Sequence, residues 1–373
     1  MPDNEAVAPP PEAPPPEPAP TLARRGVAFL GRNRGVTALL AVMLAGVLFT
    51  PQPRATAPFA VAMVQKITGT GDAGGEGPPL FLTGNLHSMV LYEYAEYGIL
   101  ATGMTLVILT GGIDLSVGSV LGIAAVLFAW LHIARGYPAL VAVAGAVGIG
   151  MVCGLANGWL VSRLGLQPFV ATLAMMVAAR GGAKVISGGV KVSPGAFEWY
   201  HVQGGNPVFM EWMIHPTFGG FLRPVTVLFV VTIVLMALVV KYARFGRHLY
   251  AIGGNEEAAR LSGVPVHVSK AIAYILCGGL AGLAGICNSS RMMLGDPEAG
   301  STYELDAIAA VVIGGTSLMG GRGSMAYTLL GTLIIGYINK ILSINAVPEA
   351  YRLLAKGLII VIAVVIQGRQ KAK

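Results

Sequence analysis

The chain has 373 residues, of which 54% are hydrophobic and 12% charged, with 51 glycines. A soluble domain carries about 25% charged residues, so this composition excludes an ordinary soluble globule and points to a polytopic helical membrane protein. The net charge of +7 and pI of about 9.4 read as membrane orientation rather than nucleic-acid binding. In chain order, residues 1–34 come first: nine prolines fall in the first twenty positions, among Asp3, Glu5, Glu12 and Glu17, followed by Arg24, Arg25, Arg32 and Arg34. This is the composition of a disordered cytoplasmic tail. Lacking a positive n-region and an apolar h-region at its start, it is not a signal peptide.

About 20 apolar residues cross a bilayer as a helix, and on that basis the fold class is an all-α polytopic membrane protein with about ten transmembrane helices. The segments are 35–51, 88–110, 115–134, 139–161, 168–187, 225–241, 269–289, 305–321, 325–346 and 352–368. The fifth carries Arg180 and Lys184 on one face, suited to a cavity or helix-end role, and the eighth is short and Gly-rich. With the N-terminus inside, fourteen Lys and Arg fall on the cytoplasmic side and six outside, which places both termini in the cytoplasm, the last being a 369–373 tail. Two external segments are long, about 52–87 and 188–224. Gly150, Gly154 and Gly158, and again Gly278 and Gly282, are spaced four apart, as in closely packed membrane helices. Cys153, Cys277 and Cys287 read as core residues.

Three groups of residues bear on function. At "VILTGGIDLSVGSVLG" an apolar run stops, Gly111 and Gly112 let the chain reverse, and Asp114 is expected to cap the helix from Leu115, with Ser116 in its first turn and Gly118 following. The same pattern returns faintly as "GGTSLMGG" at 314–321. In the cytoplasmic loop 242–268, Asn255 is expected to cap a short helix begun by Glu256 and Glu257 and continued to Arg260. Gly253 and Gly254 fence it on one side, Gly263 and Pro265 on the other. The product is a lever that a partner protein could push. Within the spans, Asn157, Thr172, Asn288 and Asn339 are candidates for a polar path, weighed against plain interhelical hydrogen bonding. Glu93 and Glu96, among Tyr92, Tyr94 and Tyr97, read as an interfacial aromatic belt ahead of a sugar site.

There is no GxxxxGK[ST] phosphate loop, no Ser/His/Asp or Cys/His arrangement and no HExxH. A non-catalytic chain without a metal site is therefore expected. Buried mid-span carboxylates, the mark of an ion-driven secondary transporter, are scarce.

Four stretches together, "GMTLVILTGGIDLSVGSVLGIAA", "NGWLVSRLGLQPFVATLAMM", "FGRHLYAIGGNEEAARLSGV" and "LDAIAAVVIGGTSLMGGRGS", resemble the permease subunits of bacterial sugar ABC importers of the ribose/xylose/arabinose/galactoside type. The resemblance runs from about residue 85 to 368. It implies the ABC importer permease fold in the bacterial inner membrane, with lipid around it. It also implies import of a monosaccharide of the pentose or hexose class. The implied partners are a second permease copy or homologue, a cytoplasmic ATP-binding subunit that holds ATP and Mg, and an external solute-binding protein. The Gly253–Gly263 segment matches the family's coupling loop. Other small polar solutes, such as a nucleoside, a signalling furanose or a branched amino acid, are the alternative cargo.

Overall fold

Apolar runs punctuated by Pro and Gly become helices whose ends fall at those punctuation marks. The computed structural model describes residues 34–49, 84–194, 207–217 and 222–369. Most of the Pro-rich tail, the end of the C-terminal tail and much of both long external segments lie outside the described residues.

The helices are α1 (Arg34–Phe49), α2 (Gly84–Glu93), α3 (Ala95–Leu109), α4 (Val117–Ala129, extended by a π turn over Trp130–Ala134), α5 (Ala139–Ser162) and α6 (Pro168–Ser187). Then come α7 (Val208–Ile214), α8 (Pro224–Tyr242), α9 (Arg244–Gly254), α10 (Glu256–Leu261), α11 (Val266–Met292), α12 (Tyr303–Gly314), α13 (Met325–Ile344) and α14 (Glu349–Arg369). Pro168 and Pro224 open α6 and α8, where a missing N–H costs nothing. Left-handed Gly188 closes α6. Among the described residues the only other pairing is two isolated antiparallel bridges, Val192 with Gly295 and Thr217 with Leu222.

The molecule is an all-α polytopic membrane protein. Among the described residues six helices are long and apolar enough to cross a bilayer: Val117–Ala134, Ala139–Ser162, Pro168–Ser187, Pro224–Tyr242, Val266–Met292 and Met325–Ile344. Each of the ten expected segments falls on helix, with two departures. The segment 88–110 is interrupted by a turn at Tyr94. The segment 305–321 is helical only over the 12 residues of α12, roughly 18 Å of rise against a hydrocarbon core of about 30 Å. Gly315, at φ 108°, ends it. The residues before it, 293–302, run non-helically along α4: a Cβ on Gly295 would touch Val126 and Ala129, one on Gly122 the Ala299 carbonyl, and one on Gly118 the Gly300 carbonyl. The connection therefore runs beside more than two turns of α4 before α12 begins.

The core centres on α3, α4 and α11. All of α3 except Tyr97 is buried, and α11 packs most extensively on α5, then on α3 and α4. The α5–α11 contact is made backbone to backbone. A Cβ on Gly154 would lie 2.2 Å from the Tyr274 carbonyl oxygen, and one on Gly278 would lie 2.1 Å from that of Gly150. The small-residue spacing therefore serves close helix packing. The three cysteines are free and buried, as core residues.

Gly148 on the same helix faces open space. Gly154→Ala is expected to lower the melting temperature of the detergent-solubilised protein by about 5 °C or more, because an overpacked core loses about 1–3 kcal/mol. Gly148→Ala should leave it unchanged or slightly raised. Equal melting temperatures for the two variants would contradict this packing.

Candidate functional site

The loop 242–268 is built as expected at its tip and differently at its base. Asn255 adopts an extended conformation and its Oδ1 accepts the Ala258 N–H at 2.9 Å, capping α10. Glu256 and Glu257 occupy the first turn. Glu257 pairs with Arg260, and Glu256 accepts from Lys270 Nζ at 2.6 Å on α11. Gly263 takes φ 82° and Pro265 precedes α11. The helix is open to solvent on its outer side, where Leu261 is 81% exposed.

At the base the expectation is corrected. Gly253 and Gly254 do not form a loop; they are the last residues of α9. Glycine is needed at 253 for contact, not for a turn. A Cβ there would lie 2.0 Å from the Leu109 carbonyl oxygen and 2.3 Å from the Gly321 nitrogen. The Gly321 N–H donates to that same Leu109 carbonyl at 3.1 Å. A Cβ on Gly320 would reach Gly111 N at 2.7 Å and Gly253 Cα at 2.9 Å. The two GG-containing motifs that echo each other in sequence thus meet at one point, and α9 closes on both. Tyr250 adds a bond from its hydroxyl to the Gly323 carbonyl at 2.9 Å.

Asp114 is 1% exposed. Its Oδ1 accepts both the Ser116 N–H at 2.9 Å and the Ser116 hydroxyl at 2.6 Å. The residue at the helix end is Ser116 itself, which makes no side-chain cap, and α4 starts at Val117. The expected cap of a helix from Leu115 is therefore corrected to a tight turn. Two residues separate carboxylate and N–H, so the carboxylate satisfies a donor before the first helical turn instead of within it. Asn157 of α5 donates from Nδ2 to the Ser116 hydroxyl oxygen at 2.9 Å. This buried chain, Asn157 to Ser116 to Asp114, holds the signature turn against α5. Gly112 lies under the Tyr274 hydroxyl.

The other path candidates are also enclosed by protein. Thr172 donates to the Pro168 carbonyl at 2.8 Å. Asn288 donates to Glu96 at 3.2 Å. Asn339 is buried and lines a small cavity with Asp306 and Lys356. Glu96 is 2% exposed and is held by Arg291 at 2.6 Å and by the Tyr303 hydroxyl at 3.2 Å. Glu93 pairs with Lys340 at 2.7 Å. The expected interfacial belt is corrected accordingly: cations on α11 and α13 draw both carboxylates into the bundle, and Tyr97 stacks on Tyr94 and Tyr303. Sequence spacing carries no sign of those partners.

The basic pair on α6 has a clear role. Arg180 Nη1 donates to the carbonyls of Pro297 at 2.6 Å and Ala299 at 2.7 Å. Lys184 pairs with Glu298 at 2.7 Å and Lys191 with Asp296 at 2.9 Å. These bonds fasten the 293–302 connection to α6. The bonded Lys184 holds the Glu298 carboxyl below the usual range. Partial burial pushes Asp296 up, but the Glu298 N–H and Lys191 outweigh it and hold Asp296 low. Both groups thus favour the tethered form at neutral pH, and that contribution is lost as pH falls below the ordinary carboxylate range, about 4.

Since Ser116 donates both bonds to one Asp114 oxygen, an amide can replace the carboxylate. Asp114→Asn is expected to keep normal membrane levels. Asp114→Ala leaves two buried donors unmatched and should cost about 1–3 kcal/mol. Melting curves and immunoblots of membranes read the difference, and equal loss in both variants would mean that the charge itself holds the turn.

Comparison with known proteins bears on the same region. The chain is 41% identical over 300 residues to the ribose import permease protein RbsC of Escherichia coli (strain K12), covering 79% of this chain and 88% of that protein. It is 41% identical over 283 residues to RbsC of Bacillus subtilis (strain 168), covering 76% and 84%. It is 39% identical over 288 residues to the fructose import permease protein FruF of Bifidobacterium longum (strain NCC 2705), covering 76% and 77%. No solved structure matches. Residues 86–364 match the family model described as branched-chain amino acid transport system / permease component. That match takes in α3 to α13, including the glycine junction and α10, and the chain belongs to this permease family.

Proposed function

We propose that the chain is the membrane-spanning permease of an ATP-driven importer and translocates a monosaccharide of the pentose or hexose class. What carries the sugar reading is the 41% identity to ribose import permeases over most of both chains, with fructose and D-allose permeases also among the relatives. On this reading the chain spans the bacterial inner membrane about ten times, with both termini in the cytoplasm. It works as a pair of permeases with a cytoplasmic ATP-binding subunit, and an external binding protein delivers the solute. ATP and Mg are held by the partner, and this chain catalyses no reaction of its own.

The Asn255–Gly263 lever supports the coupling role. It is short, capped, exposed and ends in an apolar tip. Its base touches the end of α3 and the 320–321 turn in the same place. A push on α10 therefore reaches two membrane elements at once. The family description, which names branched-chain amino acids, favours a second reading with such a cargo.

Two measurements test this. Glu257→Ala combined with Arg260→Ala, in the complex with all subunits present, is expected to reduce both uptake and solute-stimulated ATPase activity by about tenfold, the loss of one docking contact of about 1.4 kcal/mol. Unchanged values in both assays would sink the lever assignment. Uptake of D-ribose or D-fructose by the parent complex, without uptake of L-leucine, is the expected cargo result; the reverse pattern establishes the second reading.

A further inference from the structure

The connection that leads into the eighth apolar segment presents polar groups where a lipid-facing surface could not. Glu304 opens α12 beside Gly118: a Cβ on that glycine would lie 2.6 Å from Glu304 Oε2. Gly118 lies near the start of the Val117–Ala134 span, but α12 runs on from Glu304 for roughly 15 Å before the 315–321 turn, which sets Glu304 inside the bilayer and not at its surface. Arg180 lies one turn along the same stretch, 3.0 Å from a Cβ on Gly122, and is the thirteenth residue of the 20-residue α6. Both side chains are partly exposed, and Ser301 and Thr302 beside them are exposed. Charged groups exposed to acyl chains at such depth are costly and are found facing water-filled cavities instead. This face of the molecule therefore borders a water-filled space.

The four residues also have bonding capacity left over. Arg180 spends Nη1 on two carbonyls, and among the described residues its Nη2 and Nε make no hydrogen bond. Among the described residues, no Lys or Arg comes within ion-pair distance of Glu304, although Glu93, Glu96, Asp296, Glu298 and Asp306 all have one. Ser301 donates to the Glu298 carbonyl at 2.9 Å and keeps its acceptor lone pairs. Thr302 holds φ 68°, a left-handed conformation that is an outlier for a β-branched residue and costs of order 1–3 kcal/mol. A carboxylate takes hydroxyl protons and a guanidinium gives N–H to hydroxyl oxygens, so this set matches a neutral polyol.

We propose that Arg180 and Glu304, with the Ser301 and Thr302 hydroxyls, make the contact that reads the hydroxyl pattern of the sugar during passage. This rests on the sugar reading above. The four residues singled out by polarity alone, Asn157, Thr172, Asn288 and Asn339, are buried within the bundle; the contact is at the connection that leads into α12. Arg180 has a second duty in holding the connection, so Glu304 is the cleaner probe.

The test uses the complete complex in proteoliposomes, with D-ribose, D-fructose and L-leucine as radiolabelled probes. Glu304→Gln is expected to lower sugar-stimulated uptake by about tenfold, the loss of one charge-assisted hydrogen bond, and to change the ribose-to-fructose ratio. Glu304→Asp should restore part of both, a pattern that a merely structural role would not give. Unchanged rates and ratio for Glu304→Gln, with the parent complex moving a sugar, overturn this inference and leave the sugar reading standing. A parent complex that moves L-leucine and neither sugar overturns both. If Glu304→Gln fails to accumulate, Ser301→Cys decides. The native cysteines are buried, so a membrane-impermeant maleimide should label this variant from outside in the nucleotide-free or the vanadate-trapped state. No labelling in either state overturns the inference.

Discussion

A peptide group without a hydrogen-bond partner costs several kcal/mol in hydrocarbon, so non-helical backbone at membrane depth must be answered by protein. In this chain the answer is Arg180, whose one nitrogen takes the carbonyls of Pro297 and Ala299. A guanidinium suits the task because it stays charged and offers several donors in a fixed fork. With residues 293–302 secured beside α4, α12 runs for only 12 residues before Gly315 ends it. Its short length then delivers the 315–321 turn to Gly111 and Gly253. One interaction between α6 and the 293–302 connection thereby fixes where the glycine junction forms.

That junction works through the absence of side chains. The Leu109 carbonyl marks the end of α3, and the Gly321 N–H bonds to it while Gly253 presses on the same atom. Any Cβ at position 253 would separate α9 from both, because the obstructing atoms are backbone and cannot swing aside. Helix α9 is anchored further by its buried Leu249 and Ile252 and by the Tyr250 bond to Gly323. The contact point has no side chain that could rearrange, and such a rigid contact suits the coupling role proposed for α10.

Sequence reading succeeded where the determining interactions are local. The Asn255 cap spans three residues, and α6 carries both of its boundaries, Pro168 and Gly188, in its own sequence. The small-residue spacing on α5 and α11 likewise showed itself, since both helices repeat it. Reading failed where the partner is remote. Gly253 and Gly254 looked like helix breakers because the atoms that require glycine at 253, on Leu109 and Gly321, are invisible from the loop. Glu96 and Arg291 lie 195 residues apart, and Arg180 lies 117 and 119 residues from its carbonyls. The break at 293–302 agrees with the gap between segments 269–289 and 305–321, but its close run along α4 was hidden for a different reason. Its flanks are apolar, and hydropathy alone does not register that a short polar stretch can descend into the bundle if a cation is waiting there.

The distribution of charge bears on where the driving force enters. Glu93, Glu96 and Asp306 each bind a Lys or Arg on another helix, at 2.7, 2.6 and 3.0 Å. Protonating such a carboxylate would strand its cation, and breaking one side of a buried pair costs about 3–5 kcal/mol. These groups therefore act as crosslinks between helices and are poorly suited to carry protons. Asp114 is engaged with Ser116, and Glu304 is turned to the exposed face, beside the connection that Arg180 holds. A carboxylate able to cycle between proton and cation has no obvious seat among them. On the reading proposed above, the work of moving a solute is supplied by the ATP-binding partner. The exposed, capped α10 follows directly on α9, whose Gly253 meets the end of α3 and the 320–321 turn together, and on that reading it is the element through which the work would enter.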